Sequence, residues 1–468
     1  MNRVPAPILP LLLALALAAG ACGDDAGGTT QADTSSTTDT LVADASITGD
    51  VSVGQDSTAG DAAGPDAAGP DAVAPDAVVQ DTAPPKPECT TDADCAAAAA
   101  GPLCDVVAGT CGPLPLGHAI GWRDGSAESV DFTELFRPKK ALEAVDLEFH
   151  PTRDELWVTS RPFVVAGTCA QSNPFSARCA SLTGYTTIIT QPGTPAQTVK
   201  ELEDGNAWHF MRRPPAMAMG TPDRFATCGE AATGNFEDDP AQFIGPTLWS
   251  TDLAVFAQPS GGNGSHMDML HATPWCAGIA WERDNVYWVF NGSAGSIDRY
   301  DFHADHGPGA DDHSDGEIHR YIPGIVKRVP GVPSHMAFNP ANKLLYIADT
   351  GNQRLITLDT ASGTPGAAFS PVYELLADWG FVNGAAVTEL VPAGNFVEPS
   401  GLELYDGLLY VSDRATSRIY AFDLKGTMVR SLETGLPAGS LAGLAFDTQG
   451  RAYFTNMLTG SVTRIDPR

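Results

Sequence analysis

Basic side chains are scarce in this chain. It carries 27 Lys and Arg against 57 Asp and Glu, a formal net charge of −30 over 468 residues. This balance argues against nucleic acid as a partner, because phosphate binding needs clusters of Lys and Arg. Charged residues make up only 18% of the chain and hydrophobic ones 43%, so most of it can bury a core. The 48 Gly and 36 Pro favour turns and short strands over long helices.

Short catalytic motifs are also missing. The sequence contains no Gly-rich phosphate loop, no GxSxG nucleophile elbow and no HExxH zinc motif. None of the enzyme classes that these motifs mark is therefore indicated.

The first 22 residues contain an apolar run. Residues 1–22 combine Arg3, an apolar core and small residues before Cys22, the pattern of a signal peptide too short to span a membrane comfortably. The ending Ala-Gly-Ala-Cys resembles a bacterial lipobox, although Ala19 stands where that motif prefers Leu. The resemblance implies lipidation of Cys22 and a membrane anchor. An ordinary cleavage site followed by a chance Cys is the alternative.

Residues 23–88 contain no aromatic side chain. They carry 13 acidic residues and one Lys, and an Asp recurs every five residues from Asp61 to Asp81. Such a segment cannot bury enough apolar area to offset chain entropy, so we expect a disordered acidic tether. The tether holds −12 of the net charge, and the rest of the chain is less acidic than the total suggests.

The odd number of cysteines, nine, is consistent with one anchor and four disulfides in an exported protein. Residues 89–114 form a Cys-rich module that resembles small modules of secreted bacterial proteins. Its pairing is open, and metal binding is the alternative. Cys169 and Cys179 are expected to close a surface loop. The disulfide candidates are Cys89, Cys95, Cys104, Cys111, Cys169, Cys179, Cys228 and Cys276.

A sixteen-residue repeat dominates the C-terminal part of the chain. It occurs without gaps at 286–301, 344–359, 408–423 and 451–466. The third position is always aromatic, the sixth is Asn or Asp, and the sixteenth is Asp. Each copy predicts a strand, a turn and a second strand, with the side chain at position six bonding its own backbone.

A short apolar strand precedes each copy, and two weaker copies around 146–160 and 216–228 bring the number to six. One such unit cannot bury both faces, so the repeats predict an all-β, six-bladed β-propeller over residues 115–468. We expect a strand near 118–135 to close the ring and loop insertions to concentrate in the first three blades. The repeats resemble those of NHL-type propellers and, more loosely, gluconolactonase-like propellers. That resemblance implies an architecture that hosts hydrolases, lyases and binding platforms alike.

Seven of the ten histidines lie between positions 266 and 335. His335, His271, His266 and His209 lie at or before predicted inner strands, where they could converge at one funnel mouth and ligate zinc or copper. The amidating lyase that cleaves peptidyl-hydroxyglycines is a similar propeller whose zinc ligands open inner strands. The resemblance carries over only to His335 and does not extend to the lyase's catalytic tyrosine and arginine. The alternative is that these histidines hydrogen-bond the loops around the funnel.

A second donor-rich stretch, residues 301–321, joins the third and fourth strands of blade three and is expected on the opposite rim. Calcium could use its carboxylates, and zinc or copper its imidazoles. A solvated polar loop is the alternative, and a different fold of blade three could join both histidine sets into one site. The candidate ligands are His303, Asp305, His306, Asp311, His313 and Asp315.

Further candidates lie near the predicted funnel. A disulfide between Cys228 and Cys276 would staple blades two and three there, with a thiolate ligand as the alternative. Trp275, Arg354 and Arg418 are ligand-binding candidates. The tryptophan could instead pack in the core, and the arginines could pair with nearby aspartates.

Two classes of function follow. One is an exported, membrane-anchored binding or scaffold propeller that engages a protein, peptide or glycan and can hold a divalent metal. The other is a metal-dependent enzyme of lyase or lactonase type. The metal could also be purely structural. We expect a monomeric lipoprotein of a bacterial outer membrane or cell surface, with a periplasm-facing position as the alternative.

Overall fold

The computed structural model describes residues 87–105, 109–140, 142–163, 182–220, 222–235, 243–258 and 263–468. The predicted signal peptide with Cys22, the tether up to residue 86, and the Cys169–Cys179 loop lie outside these residues. Within the described ranges, no helix has the length and apolar character needed to cross a membrane.

The Cys-rich segment is a small disulfide-linked unit. It contains α1 (Asp92–Cys95) and an antiparallel pair formed by β1 (Leu103–Asp105) and β2 (Thr110–Gly112). Of the pairings left open by the sequence, Cys89–Cys104 and Cys95–Cys111 are formed. Disulfides of this kind replace a hydrophobic core that so short a segment cannot build.

In the described residues six sheets follow, and each contains the four antiparallel strands of one blade. Blade one contains β4 (Leu142–Phe149), β5 (Glu155–Pro162), β6 (Tyr185–Thr190) and β7 (Thr198–Leu202). The short helix α2 (Ala207–Phe210) leads to blade two, which contains β8 (Met217–Gly220), β9 (Arg224–Thr227), β10 (Thr247–Ser250) and β11 (Asp268–Met269). Blade three begins with β12 (Cys276–Arg283), β13 (Val286–Asn291), β14 (Ser296–Asp301) and β15 (Glu317–Tyr321).

The remaining blades contain the most regular repeats. Blade four consists of β16 (Met336–Asn339), β17 (Leu344–Asp349), β18 (Arg354–Asp359) and β21 (Val387–Val391). Blade five consists of β22 (Pro399–Tyr405), β23 (Leu408–Asp413), β24 (Arg418–Asp423) and β25 (Met428–Glu433). Blade six consists of β26 (Leu441–Phe446), β27 (Ala452–Asn456), β28 (Ser461–Pro467) and the N-terminal strand β3 (Val130–Phe136). In the part of the chain that the structure describes, short 3-10 helices lie at His118–Ile120, Ala127–Ser129 and Thr350–Asn352.

The sixteen-residue repeat is the hairpin formed by the second and third strands of a blade. Its aromatic third position is buried in all four copies, as Trp288, Tyr346, Tyr410 and Tyr453. The prediction for position six is confirmed at three copies, where the side-chain oxygen accepts turn N–H groups, as for Asn291 Oδ1 and the N–H of Ala294 at 2.9 Å. Asp349 differs, because its Oδ1 accepts the N–H of Lys327 from the preceding connection at 2.8 Å.

Glycine recurs in the inner strands because neighbouring blades approach each other closely there. A Cβ atom on Gly401 would lie 1.9 Å from the carbonyl oxygen of Ala442 in the next blade. One on Gly278 would lie 2.0 Å from the carbonyl oxygen of Ser334. The side-chain-free backbone therefore allows the blades to pack around a narrow centre.

The ring closes as predicted, since β3 pairs antiparallel with β28. Insertions were expected mainly in the first three blades, but blade four also carries a long insertion. Residues 360–386, which we call the excursion, leave β18 and form β19 (Thr364–Pro365) and β20 (Asp378–Asn383). Strand β20 pairs in parallel with β15, so the excursion extends blade three rather than blade four.

Candidate metal centre

His335 lies at the start of an inner strand, as predicted, and reaches another blade. Its Nδ1 is 3.4 Å from Oδ1 of Asp146, a residue of β4 in blade one, and its Nε2 is 3.2 Å from the carbonyl oxygen of Pro215. Asp146 also accepts the N–H groups of Leu147 and Met217, each at 2.9 Å. Burial raises the pKa of Asp146, against the opposing effects of His335 and these N–H donors. His335 is therefore part of an internal polar contact.

Two glutamates on inner strands are affected by the same carboxylate. Burial raises the pKa of Glu403 to about 8, and the charge of Asp146 adds to the effect. Burial, Glu403 and Asp146 raise the pKa of Glu148 well above its usual range. Three carboxyl groups so arranged cannot all ionise without mutual repulsion, so the inner strands retain protons near neutral pH.

His209 and His266 contact the same aromatic ring. The His266 ring stacks on Phe210 at 3.6 Å, and the His209 ring meets Phe210 edge-on at 4.4 Å. Nδ1 of His209 lies 2.8 Å from the carbonyl oxygen of Gly234, and both ring nitrogens of His266 face backbone carbonyls at 2.8 and 3.0 Å. Burial lowers the pKa of His209 to about 4 and also lowers that of His266. Both are neutral packing residues whose nitrogens face carbonyl oxygens.

His271 is held by the excursion. Its Nδ1 is 2.5 Å from Oε2 of Glu374, and its backbone N–H donates to the other carboxylate oxygen at 2.8 Å. Burial tends to raise the pKa of Glu374, but the hydrogen bond and charge of His271 outweigh it and the pKa is lowered. The His271 ring stacks on Phe243 at 3.7 Å and meets His313 at 5.9 Å. Its Nε2 is buried without a hydrogen-bond partner.

The predicted convergence of four histidines is therefore not formed. His335 contacts Asp146, His271 contacts Glu374, and His209 and His266 share Phe210. Within the described ranges, no group of three metal-ligating atoms within 4.8 Å includes any of the four. The physical reason is that each histidine already has its own polar or aromatic partner, which for His335 and His271 comes from a distant part of the chain.

The expectation that the two donor sets lie on opposite rims is wrong. His266 precedes β11, the fourth strand of blade two, so it lies on the same kind of connection as the stretch after β14 in blade three. The two connections are hydrogen-bonded, with the N–H of Gly309 donating to the carbonyl oxygen of His266 at 2.7 Å. The side chain of Asn263 also donates to Asp311 at 2.8 Å. The connection that carries His266 therefore meets the 301–321 stretch at one rim, whereas His335 lies at Asp146.

Asp268, His306 and Asp315 form the centre of this meeting point, and we call them the Asp-His-Asp cluster. One potential ligand atom from each lies within 4.8 Å of the others. Nδ1 of His306 is 3.7 Å from Oδ2 of Asp268, and Nε2 is 3.5 Å from Oδ1 of Asp315. The side chain of Asp268 is fully buried. The ring of His306 thus lies between two carboxylates contributed by blades two and three.

The same cluster contains buried polar atoms without hydrogen-bond partners. They are Oδ2 of Asp268, Nδ1 of His306 and Oδ1 of Asp315. A buried donor or acceptor left unpaired costs roughly 1–3 kcal/mol, and more when it is charged. Asp268 Oδ2 faces His306 Nδ1 at 3.7 Å and Asp315 Oδ1 faces Nε2 of the same ring at 3.5 Å, and these distances leave the atoms open to a ligand that the protein chain itself does not supply.

His313 supports the cluster from the side. Its Nδ1 lies 2.7 Å from Oδ1 of Asp268, which also accepts the N–H of Met269 at 2.6 Å. Burial lowers the pKa of His313, but the hydrogen bond to Asp268 and that carboxylate's charge outweigh it, so the pKa is raised. Hydrogen bonds of this kind fix a carboxylate ligand in orientation. Asp268 was not among the sequence candidates, although it lies between His266 and His271.

The other candidates of the 301–321 stretch lie apart from the cluster. Asp305 pairs with Arg224, and Asp311 accepts the side chain of Asn263. His303 forms a separate group with Asp301 and Glu317, and its side chain is 44% exposed. Of the predicted six, His306, His313 and Asp315 therefore belong to the site around the buried side chain of Asp268.

The donors of the cluster fit one metal class better than another. One imidazole nitrogen and two carboxylate oxygens suit zinc or a related transition metal, and three protein ligands leave a fourth position open. Calcium takes six to eight oxygen ligands, which these residues do not offer. The two carboxylates face different nitrogens of the His306 ring, so the three residues would bind one ion through a single imidazole nitrogen after a rearrangement of side chains.

The candidates near the funnel have clear partners. Cys228 and Cys276 form the predicted disulfide between blades two and three. Arg354 pairs with Asp349 at 2.9 Å and with Glu389 at 3.1 Å. Arg418 pairs with Glu433, not with the aspartate of its own turn. Trp275 is 37% exposed and is not a core residue.

Comparison with known proteins gives remote structural similarities only. No protein-family model matches the chain, and no characterised protein matches its sequence. An auxiliary nutrient binding protein from Bacteroides thetaiotaomicron is similar over 72% of this chain and 76% of its own, with 11% identity and a TM-score of 0.44. Virginiamycin B lyase from Staphylococcus aureus is similar over 72% of this chain and 100% of its own, with 10% identity and a TM-score of 0.43. At such identities the likeness concerns the fold alone.

Proposed function

We propose that the protein is an exported, membrane-anchored binding propeller that holds a divalent transition-metal ion in the Asp-His-Asp cluster. The observation that carries the metal proposal is the set of three unpartnered buried atoms on Asp268, His306 and Asp315. The disulfides of the described residues support a position in an oxidising compartment. The anchor through Cys22 rests on the sequence pattern alone.

The metal would act first as a link between blades. Asp268 belongs to blade two, whereas His306 and Asp315 lie on the connection between the last two strands of blade three. An ion bound to all three would fix that connection against the neighbouring blade. His313 would orient Asp268 through its hydrogen bond.

A metal-dependent lyase or lactonase acting through funnel histidines is the second candidate, and it has less support. His335 contacts Asp146 and Pro215, and its partners in the proposed ligand set lie elsewhere. A propeller with a structural ion and an open face fits the binding function better, because this fold commonly presents ligand sites on its loops.

Metal analysis of the purified full-length chain tests the proposal. We expect about one equivalent of zinc or a related ion, which falls at least tenfold in Asp268→Asn and His306→Ala. His335→Ala is the matched control, because it removes a buried histidine with a carboxylate partner outside the cluster, and it should keep the metal. Loss of metal in His335→Ala but not in His306→Ala would favour the enzyme. A metal-free protein that does not bind added zinc and melts at the same temperature in chelator contradicts the proposal.

A further inference from the structure

Trp275 presents a large aromatic side chain to solvent in a backbone conformation that such residues rarely adopt. Its φ is +58°, in the left-handed region, and 37% of its surface is exposed. Two backbone hydrogen bonds hold it: its N–H donates to the carbonyl oxygen of Ala231 at 2.8 Å, and its own carbonyl accepts the N–H of Gly292 at 3.2 Å. The next residue, Cys276, is fixed by the disulfide. Strained residues held this firmly are concentrated at ligand sites.

Arg328 stacks on this ring in a fixed orientation. Its guanidinium carbon lies 4.6 Å from the centre of the Trp275 ring, and its Nη1 is 3.2 Å from Oε1 of Glu230. Glu230 is itself held by Arg161 at 2.7 Å and by the N–H of Gly331 at 2.6 Å. A cation over an indole face and a buried carboxylate behind it are thus preorganised.

A shallow cavity of about 440 Å³ lies beside this stack, between the turn 292–295 and the connection that follows β15. Arg328 forms one wall, Lys327 another, and glycine residues form much of the rest. A Cβ on Gly292 would lie 2.2 Å from Cδ of Arg328 and 2.3 Å from the carbonyl oxygen of Trp275, so only glycine lets this turn pack so closely against the stack. Lys327 is exposed, and no carboxylate of the described residues lies within 4.0 Å of its ammonium group.

We propose that the cavity and the exposed ring of Trp275 bind a carbohydrate that carries carboxylate groups, such as a uronic-acid oligosaccharide. An aromatic ring offers a flat apolar surface to the C–H face of a sugar. The cationic side chains of Lys327 and Arg328 would pair with the carboxylates of that sugar. The shallow open shape suits a chain that continues past the site rather than a fully enclosed small molecule. The net negative charge of the whole protein repels anions. The attraction of a carboxylate ligand must therefore come from the local charges of Lys327 and Arg328.

This site is separate from the Asp-His-Asp cluster and does not depend on a bound metal. Its residues belong to blade three and its flanking connections: Trp275 precedes β12, and Lys327 and Arg328 follow β15. An acidic peptide offers carboxylates without sugar rings and is the main competing ligand. The experiment therefore includes both chemistries.

Calorimetric titration of the full-length chain with trigalacturonic acid tests the proposal, with maltotriose and triglutamate as comparison ligands. We expect saturable binding of trigalacturonic acid that weakens at least tenfold in Trp275→Ala and in Lys327→Gln. Trp275→Phe keeps an aromatic ring and should stay within about threefold of the parent. Arg414→Gln is the matched control, because it removes a partly exposed arginine from a turn of blade five, and it should bind as the parent does.

Melting temperatures of all variants separate loss of binding from loss of folding, and Lys327→Gln, an exposed substitution, keeps the test valid if Trp275→Ala unfolds. No binding of trigalacturonic acid, or equal binding of maltotriose, overturns the proposal. Equal binding of triglutamate with the same sensitivity to Lys327→Gln overturns the carbohydrate assignment in favour of an acidic peptide.

Discussion

At the scale of single residues, the carboxyl groups of the inner strands have the clearest consequence. Glu403 has a pKa of about 8, raised by burial and by the charge of Asp146. At Glu403 the folded protein therefore binds more protons than the unfolded chain between about pH 4.5 and 8. The contribution of Glu403 to the free energy of unfolding therefore falls as the pH rises through this range.

Glu403→Gln removes the titrating group and should flatten this pH dependence. We expect the variant to resemble the parent at pH 5 and to gain about 1–3 kcal/mol of unfolding free energy at pH 8. Urea denaturation at pH 5, 6.5 and 8 measures the slope. Glu433→Gln, at the edge of the same blade, is the control and should keep the parent slope. A variant with an unchanged slope would show that Glu403 ionises without cost in the folded protein.

The residues of the candidate metal site differ in whether the sequence could predict them. His306, His313 and Asp315 were identified because donors are dense in 301–321. Asp268 was not, because one buried aspartate between two methionines has no distinguishing pattern. Its role follows only from the position of blade two beside the connection of blade three.

At the scale of elements, the Cys228–Cys276 disulfide joins two blades across 48 residues. Cross-linking a loop of that size restricts the unfolded chain and is worth about 2–4 kcal/mol. Both cysteines are buried, so the bond also fixes the start of β12, next to Trp275.

Replacing both cysteines by alanine should lower the free energy of unfolding of the propeller by about 2–4 kcal/mol. Denaturant titration followed by tryptophan fluorescence measures the change. The double variant Cys89→Ala, Cys104→Ala removes a disulfide of the Cys-rich unit and should leave the main propeller transition in place. Coinciding transitions for the parent and the Cys228, Cys276 variant would contradict this stabilising role.

The excursion shows how an element can leave its own blade. Residues 360–386 begin after β18 of blade four, yet β20 pairs with β15 of blade three and Glu374 holds His271. Their sequence contains no copy of the repeat and no signal for the sheet that they join. This parallel pairing is long-range and depends on the packed ring.

At the scale of the whole molecule, the charge is unevenly distributed along the chain. The net charge of −30 includes −12 from residues 23–88, which precede the propeller. The proposed lipid anchor on Cys22 would therefore be followed in the sequence by an acidic segment without aromatic side chains.

Cys22→Ala should release the protein from membranes. The loss of the lipid chain removes the apolar area that the anchor buries in the bilayer. Fractionation of expressing cells measures the change, and labelling with a palmitate analogue should disappear in the same variant. Asp24→Ala keeps the cysteine and should remain in the membrane fraction. Equal membrane association of Cys22→Ala and the parent would contradict the anchor.

The amino-acid sequence alone determined the propeller, its six blades, the closing strand and the Cys228–Cys276 staple. Those features depend on local alternation, turn chemistry and a periodic pattern, which adjacent residues carry. Tertiary structure alone decided which histidines meet, that Asp268 joins His306 and Asp315, and that Glu374 reaches His271. Those contacts join residues from different blades, so their positions depend on the length and packing of irregular connections for which the repeat provides no template.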